Sequence, residues 1–181
     1  ADLGLHVAFA SRPVASFTPV RRGRADLGLL VERASGPATA ESFRALTGSD
    51  EEYAAWQAFY DDAGRLARAV APTLLEPLET AVEMRRRIGG AVWDRLVARP
   101  IGVTIEAGFR DDTVRGVVLT DALIGTFASA HDVSLRQNRC FLYHVIGNGS
   151  GEWRVPVGGM GAVTRALADS CQEANEIRHL P

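Results

Sequence analysis

Cys140 and His144 stand four residues apart, which puts a thiol and an imidazole on one helical face. That pairing can make a thiolate–imidazole dyad for nucleophilic catalysis. No G-x-S-x-G elbow accompanies it and no third orienting group is visible nearby, so a satisfied, partly buried histidine is the simpler account. The same pair falls short of the four ligands of structural zinc, and His131-Asp132 adds no further spacing signature, so no metal site is expected. Gly147-Asn148-Gly149-Ser150-Gly151 contains G-x-G, but the extended run Glu152-Trp153-Arg154-Val155-Pro156 follows it. A dinucleotide fingerprint needs a helix there, so this segment reads as a turn. Gly158-Gly159-Met160-Gly161 is different, because it follows a strand pattern and opens a helical one. Glycines admit close backbone approach, and free N–H groups at a helix start attract negative charge. The full G-x-G-x-x-G spacing is missing, and so is an acidic residue about twenty positions on. Both a ligand-facing loop and a plain tight turn fit these residues.

All the basic residues are arginine, and the chain has no lysine. A phosphate-binding P-loop and a pyridoxal Schiff base both require lysine, so neither mechanism runs from this chain. Arg85-Arg86-Arg87 reads as a solvated helix face, with a small phosphate or partner site as the alternative. Asp61-Asp62 and Asp111-Asp112 are sequence neighbours, which do not face each other on a helix; capping explains the second pair better than acid–base chemistry. The net charge of −2 gives no general attraction to nucleic acid. No apolar run reaches membrane-spanning length, so no integral membrane segment is expected. The start has no basic, signal-like region and reads as a chain entered in mid-stream. Two cysteines are too few for a disulfide framework and imply reduced thiols in a cytoplasmic protein. The arginine- and alanine-rich composition suggests a GC-rich bacterial genome.

The elements that would position these groups are a little sheet and many short helices. Leu5, Val7 and Phe9 alternate, and Val14 with Phe17 to Val20 continues an extended pattern. Pro13 and Pro19 argue against a central strand there. Arg21-Arg22-Gly23-Arg24 is turn-like, and Leu27 to Glu32 reads as the return strand of a loose hairpin. A helix capped by Thr39 is expected to run through Leu46 to Gly48. Ser49 and Glu52 have capping-box spacing ahead of the clearest amphipathic helix, which carries Tyr53, Trp56, Tyr60, Ala63, Leu66 and Val70 and is stopped by Pro72. Thr80 and Glu83 make a second capping box, closed by Gly89-Gly90. Short helices are expected at 91–97, 101–109 and 112–119, with Pro100 between the first two. Residues 134–146 read as helix and 152–157 as a short strand. A last helix follows Gly161, and 176–178 can begin another strand. The fold class expected is α+β, mostly helical, in a single domain of 181 residues.

Several segments carry a family resemblance: "RPVASFTPV", "SFRALTGSDEEYAAWQAFY", "PTLLEPL", and the long stretch that ends in "VPVGGMGAVTRAL". Together they resemble the phytoene-dehydrogenase-related family of FAD-dependent oxidoreductases. The last motif is similar to the P-x-GG-x-G segment of carotene desaturases and, more distantly, of flavin amine oxidases. The resemblance implies the inserted substrate-binding domain of such an enzyme, without the Rossmann part that holds FAD and therefore inactive alone. It implies that Gly158, Gly159, Met160 and Gly161 face the flavin, and that Asn138, Tyr143, His144 and Trp153 line the cavity of a hydrophobic small-molecule substrate. No catalytic acid or base is assigned. One departure is Asn175, where the family usually shows glycine. Apolar surface left by the missing domain implies a tendency to homodimerise. The competing expectation is a free-standing helical binding or interaction module with no redox role.

Overall fold

A computed structural model describes residues 5–77, 79–147 and 154–173. They fall into two compact units, one spanning Pro13–Glu152 and the other combining Ala1–Arg12 with Trp153–Pro181. The expected strand at 176–178, Asn175, and all of the 147–151 turn except Gly147 lie outside the described residues. The α+β, mostly helical class holds.

The larger unit opens with an antiparallel hairpin, β1 of the second unit (Phe9–Ala10) preceding it in sequence. Its strands are β2 (Val14–Arg22) and β3 (Ala25–Glu32), with Val20 opposite Leu27 and Thr18 opposite Leu29. Pro19 sits inside β2, opposite Gly28. A two-stranded ribbon has only edge strands, so a proline there need not break a ladder bond. Leu29 and Val31 of β3 are buried under α1 (Pro37–Thr47). The outer edge of β3 is closed by side chains of α1. Ser42 Oγ accepts from Leu30 N at 3.1 Å and donates to Leu30 O at 2.9 Å, and Thr39 Oγ1 accepts from Glu32 N at 2.9 Å. Covering an edge in this way protects it from pairing with another chain.

Thr39 is therefore not the cap of α1. Gly36 holds that position, Pro37 starts the helix, and Thr39 is fully buried. The free N–H groups at the helix start are met instead by Glu32, whose Oε2 accepts from Thr39 N at 2.9 Å. The Thr39 N–H and hydroxyl hold the Glu32 carboxyl below its ordinary value.

The long helix α2 (Glu51–Val70) is the spine of the unit. Trp56, Phe59, Ala63 and Leu66 form its buried stripe, and a 3-10 turn at Ala71–Thr73 ends it at Pro72. The Ser49–Glu52 capping box does not form, because Glu52 is buried and accepts from Arg110 N at 2.6 Å. Phe59, which the apolar spacing alone did not single out, is the aromatic hub. Its ring packs edge-on to Tyr60, Phe109 and Phe141 with centroids 5.4–5.7 Å apart.

Around this spine lie α3 (Ala81–Ile88), α4 (Gly90–Leu96), α5 (Ile101–Gly108), α6 (Asp112–Leu123) and α7 (Arg136–Ile146). The Thr80–Glu83 capping box is present at α3, and Asp111 caps α6 through Thr113 N and Val114 N. Arg85 pairs with Asp94 and Arg87 with Glu79, as a solvated charged face does. Among the described residues no helix is long and apolar enough to cross a membrane.

α5 meets the loop before α7 at Gly102, whose N–H donates to Ala130 O at 2.9 Å. A Cβ at Gly102 would lie 2.8 Å from that same carbonyl oxygen. The expected cost of Gly102→Ala is about 1–3 kcal/mol of overpacking, partly offset by about 1 kcal/mol of better helix propensity. Urea unfolding should show a net loss of stability, and a variant as stable as the parent would show that the loop yields freely.

Candidate functional site

The smaller unit is built from β1 and β4 (Val155–Pro156), which pair antiparallel with Phe9 opposite Pro156, and from α8 (Met160–Glu173). Val157 N extends the ladder to Ala8 O at 2.9 Å. The chain then turns sharply, with Gly159 N donating to Pro156 O at 2.9 Å. Gly158 occupies the third position of this turn with φ +86°, the place a type II turn reserves for glycine. Gly159 follows with φ +72°, and its carbonyl accepts from Ala162 N at 3.0 Å.

Two successive residues in the left-handed region exclude ordinary side chains at both positions. Crowding is not the reason at Gly159, where an added Cβ would meet nothing within 4 Å. The turn is a patch of bare main chain beside open space. By helix geometry the N–H groups of Met160 and Gly161 have no intrahelical acceptor. Arg165, one turn into α8, brings its guanidinium alongside, with nitrogens 3.7 Å and 3.4 Å from the places a Cβ would occupy at Gly158 and Gly161. Sequence reasoning passed over Arg165. Its spacing of four from Gly161 on the last helix was the available signal.

None of the described residues of this unit is buried. Met160 is 70% exposed, and Phe9, Val155, Val157 and Leu167 are exposed as well. A strand pair of two residues with one helix does not make a core of its own.

The other sequence candidates lie on α7, apart from Trp153, which is outside the described residues. Asn138 is only 4% exposed and spends its amide on main chain. Its Oδ1 accepts from Ile101 N at 3.1 Å, and its Nδ2 donates to Leu96 O and Arg99 O, each at 2.8 Å. With donors and acceptor so engaged, Asn138 clamps the α4–α5 connection rather than lining a cavity. Tyr143 is exposed, and its ring stands edge-on to His144 at 5.3 Å. His144 Nδ1 is 2.8 Å from the carbonyl of Cys140 and 3.7 Å from its sulfur. The structure thus brings Tyr143 and His144 together and leaves Asn138 on another errand.

Asp121 of α6 and Tyr60 of α2 join the Cys140–His144 pair electrostatically, and sequence reasoning missed both. Burial pushes the Asp121 carboxyl up, and His144 opposes that shift. Burial and then Asp121 push the Cys140 thiol up, and the same two causes act on the Tyr60 phenol. Cys140 also donates its S–H to Ile124 O. A thiol held protonated and committed to a carbonyl is not an activated nucleophile. Both cysteines are free thiols, and no cluster of three metal-ligating side chains occurs among the described residues.

Two measurements check these assignments. Asn138→Asp places a carboxylate against the carbonyls of Leu96 and Arg99, an uncompensated buried charge expected to cost about 3–5 kcal/mol in urea unfolding. In a Cys171→Ser background, the pH profile of Cys140 alkylation should have its midpoint above that of an ordinary thiol, and Asp121→Asn should lower it. A midpoint at or below the ordinary thiol value would restore the nucleophile reading.

No protein-family model matches the chain, and no solved structure does. It is similar to the uncharacterized proteins Mb0921c of Mycobacterium bovis and Rv0897c of Mycobacterium tuberculosis, 45% identical to each over 175 residues. Each alignment covers 93% of this chain and 32% of the relative, so the chain spans about a third of the length of these curated relatives. A more distant similarity, 29% identity over 110 residues, joins 58% of the chain to 18% of the mouse pyridine nucleotide-disulfide oxidoreductase domain-containing protein 2.

Proposed function

We propose that this chain is the substrate-binding part of an FAD-dependent oxidoreductase of the phytoene-desaturase type, whose flavin is held mainly by polypeptide beyond these residues. The observation that carries the reading is the turn at Gly158 and Gly159. At Gly159 it offers bare main chain to open space, in a unit none of whose described residues is buried. The distant similarity to a protein named as an oxidoreductase-domain protein supports it, as does the greater length of the mycobacterial relatives.

The residues present fit a flat cofactor pressing on this turn. A flat ring system needs a surface without side chains, and the positive φ values at Gly158 and Gly159 keep one clear. Gly158, Gly159, Met160 and Gly161 would hold that face. The N–H groups of Met160 and Gly161 would orient an electronegative edge, and the Arg165 guanidinium adds positive charge beside it. When bound, FAD supplies the acceptor for a hydride from a substrate C–H or C–N bond. The contribution of this chain is to bind and orient a hydrophobic substrate and keep water away.

The test uses the longer polypeptide that contains this chain. It should purify yellow, with a flavin spectrum and about one FAD released per chain on heating. Gly159→Val forces a β-branched side chain to φ +72° and into the open face. It should lower FAD occupancy or shift the flavin spectrum. A folded, colourless longer protein that takes up no added FAD would sink the reading. A fully loaded Gly159→Val protein with an unchanged spectrum and turnover would remove the turn from it.

A further inference from the structure

The larger unit contains a cavity of about 470 Å³ between α2, α4 and α5 that the flavin reading does not use. α2 presents Ala55, Ala58, Phe59 and Asp62 to it, residues that share one helical face. α5 presents Val103, Thr104, Ala107 and Gly108. Half of these wall residues are alanine or glycine, and an added Cβ at Gly108 would meet nothing within 4 Å. Phe59 and Phe109, packed edge-on at 5.7 Å and nearly buried, form a rigid aromatic floor. The volume lies in the range of small-molecule pockets, about 300–1,000 Å³.

The charged groups lining the groove are unequal. Asp62 is buried and ion-paired with both Arg65 and Arg95, so its single negative charge is more than matched. Thr104 donates its hydroxyl proton to Arg95 O at 2.6 Å. Arg99 adds a further cation that no carboxylate among the described residues pairs with. Its Nε donates to Asp94 O at 3.0 Å, and its two terminal nitrogens bond no described residue. The main chain that carries it is fixed by Asn138, which holds Arg99 O and Ile101 N on either side of Pro100.

We propose that this groove binds an amphipathic carboxylate, with an apolar body against Phe59, Phe109 and the alanine walls and a carboxylate head on the Arg99 guanidinium. A planar guanidinium fork matches a carboxylate in two parallel hydrogen bonds. The inference does not rest on the flavin reading, because every residue it uses lies in the larger unit and its test needs no flavin.

Calorimetric titration with decanoate, below its micelle concentration, should show one saturable site with Kd on the order of 10–100 µM. Decan-1-ol should bind about tenfold more weakly, as expected when a charge-assisted hydrogen bond is lost. Arg99→Gln should weaken decanoate by about tenfold and leave decan-1-ol unchanged. Val103→Trp fills the groove from its rim, where Val103 is 41% exposed, and should abolish both. Arg99 and Val103 both lie at the groove's solvent side, and circular dichroism melts verify that each variant folds. No saturable decanoate binding, equal affinity in Arg99→Gln, or binding retained in Val103→Trp each overturns the proposal. Tighter binding of decyl phosphate than of decanoate overturns the carboxylate assignment.

Discussion

Asn138 shows the constraint on which the larger unit depends. A fold made of short helices has many ends, and every end leaves N–H and C=O groups that need partners. Here α4 has seven residues and α5 eight, separated by a connection that contains Pro100. Asn138, reaching in from α7, satisfies the carbonyl ending α4, the carbonyl of Arg99, and the first N–H of α5. Glu52 does the same from α2 for Arg110 N, and Glu32 does it from β3 for the start of α1. In each case a polar side chain on one element completes the backbone of another. Where such a bond is buried, as at Asn138, a missing partner is expensive, so it fixes how the short helices meet. The placement of Arg99 at the groove follows from the same clamp.

The two units differ in what they bury. The larger has a continuous apolar cluster running from Leu29 and Phe43 through Trp56 and Phe59 to Phe109, Val118 and Phe141. The smaller has exposed Phe9, Val155, Val157 and Met160 and no buried residue among those described. Apolar side chains exposed together on one small unit are uncommon unless something covers them. In the proposed reading that cover is the flavin-holding polypeptide.

The parts of the fold legible in the sequence were those set by local rules. The period of Trp56, Ala63 and Leu66, the Thr80–Glu83 box, the Asp111 cap, and the glycine turn before α8 depend on residues within a few positions of one another. Thr39, Glu52 and Asn138 were misread for the opposite reason. Each has the composition of a local cap or a ligand-binding side chain, yet its partner lies on another element: Thr39 bonds Glu32 of β3, Glu52 bonds Arg110, and Asn138 bonds Leu96, Arg99 and Ile101. No spacing rule on a single sequence registers such pairs. The groove was invisible for the same reason, since only tertiary placement turns its small residues, Ala55, Ala58, Ala107 and Gly108, toward a common gap.

The Cys140–His144 pair shows how a correct local spacing can still give the wrong chemistry. The two side chains do meet on one face of α7, as the interval of four requires. What decides the outcome is Asp121 on the neighbouring helix. Its carboxyl adds negative charge where a thiolate or a phenolate would form, and burial acts in the same direction on Cys140 and Tyr60. His144 is the group that favours the ionised carboxyl. A thiolate would have to form against Asp121 and give up the S–H bond to Ile124, so the pair is not arranged as a nucleophile.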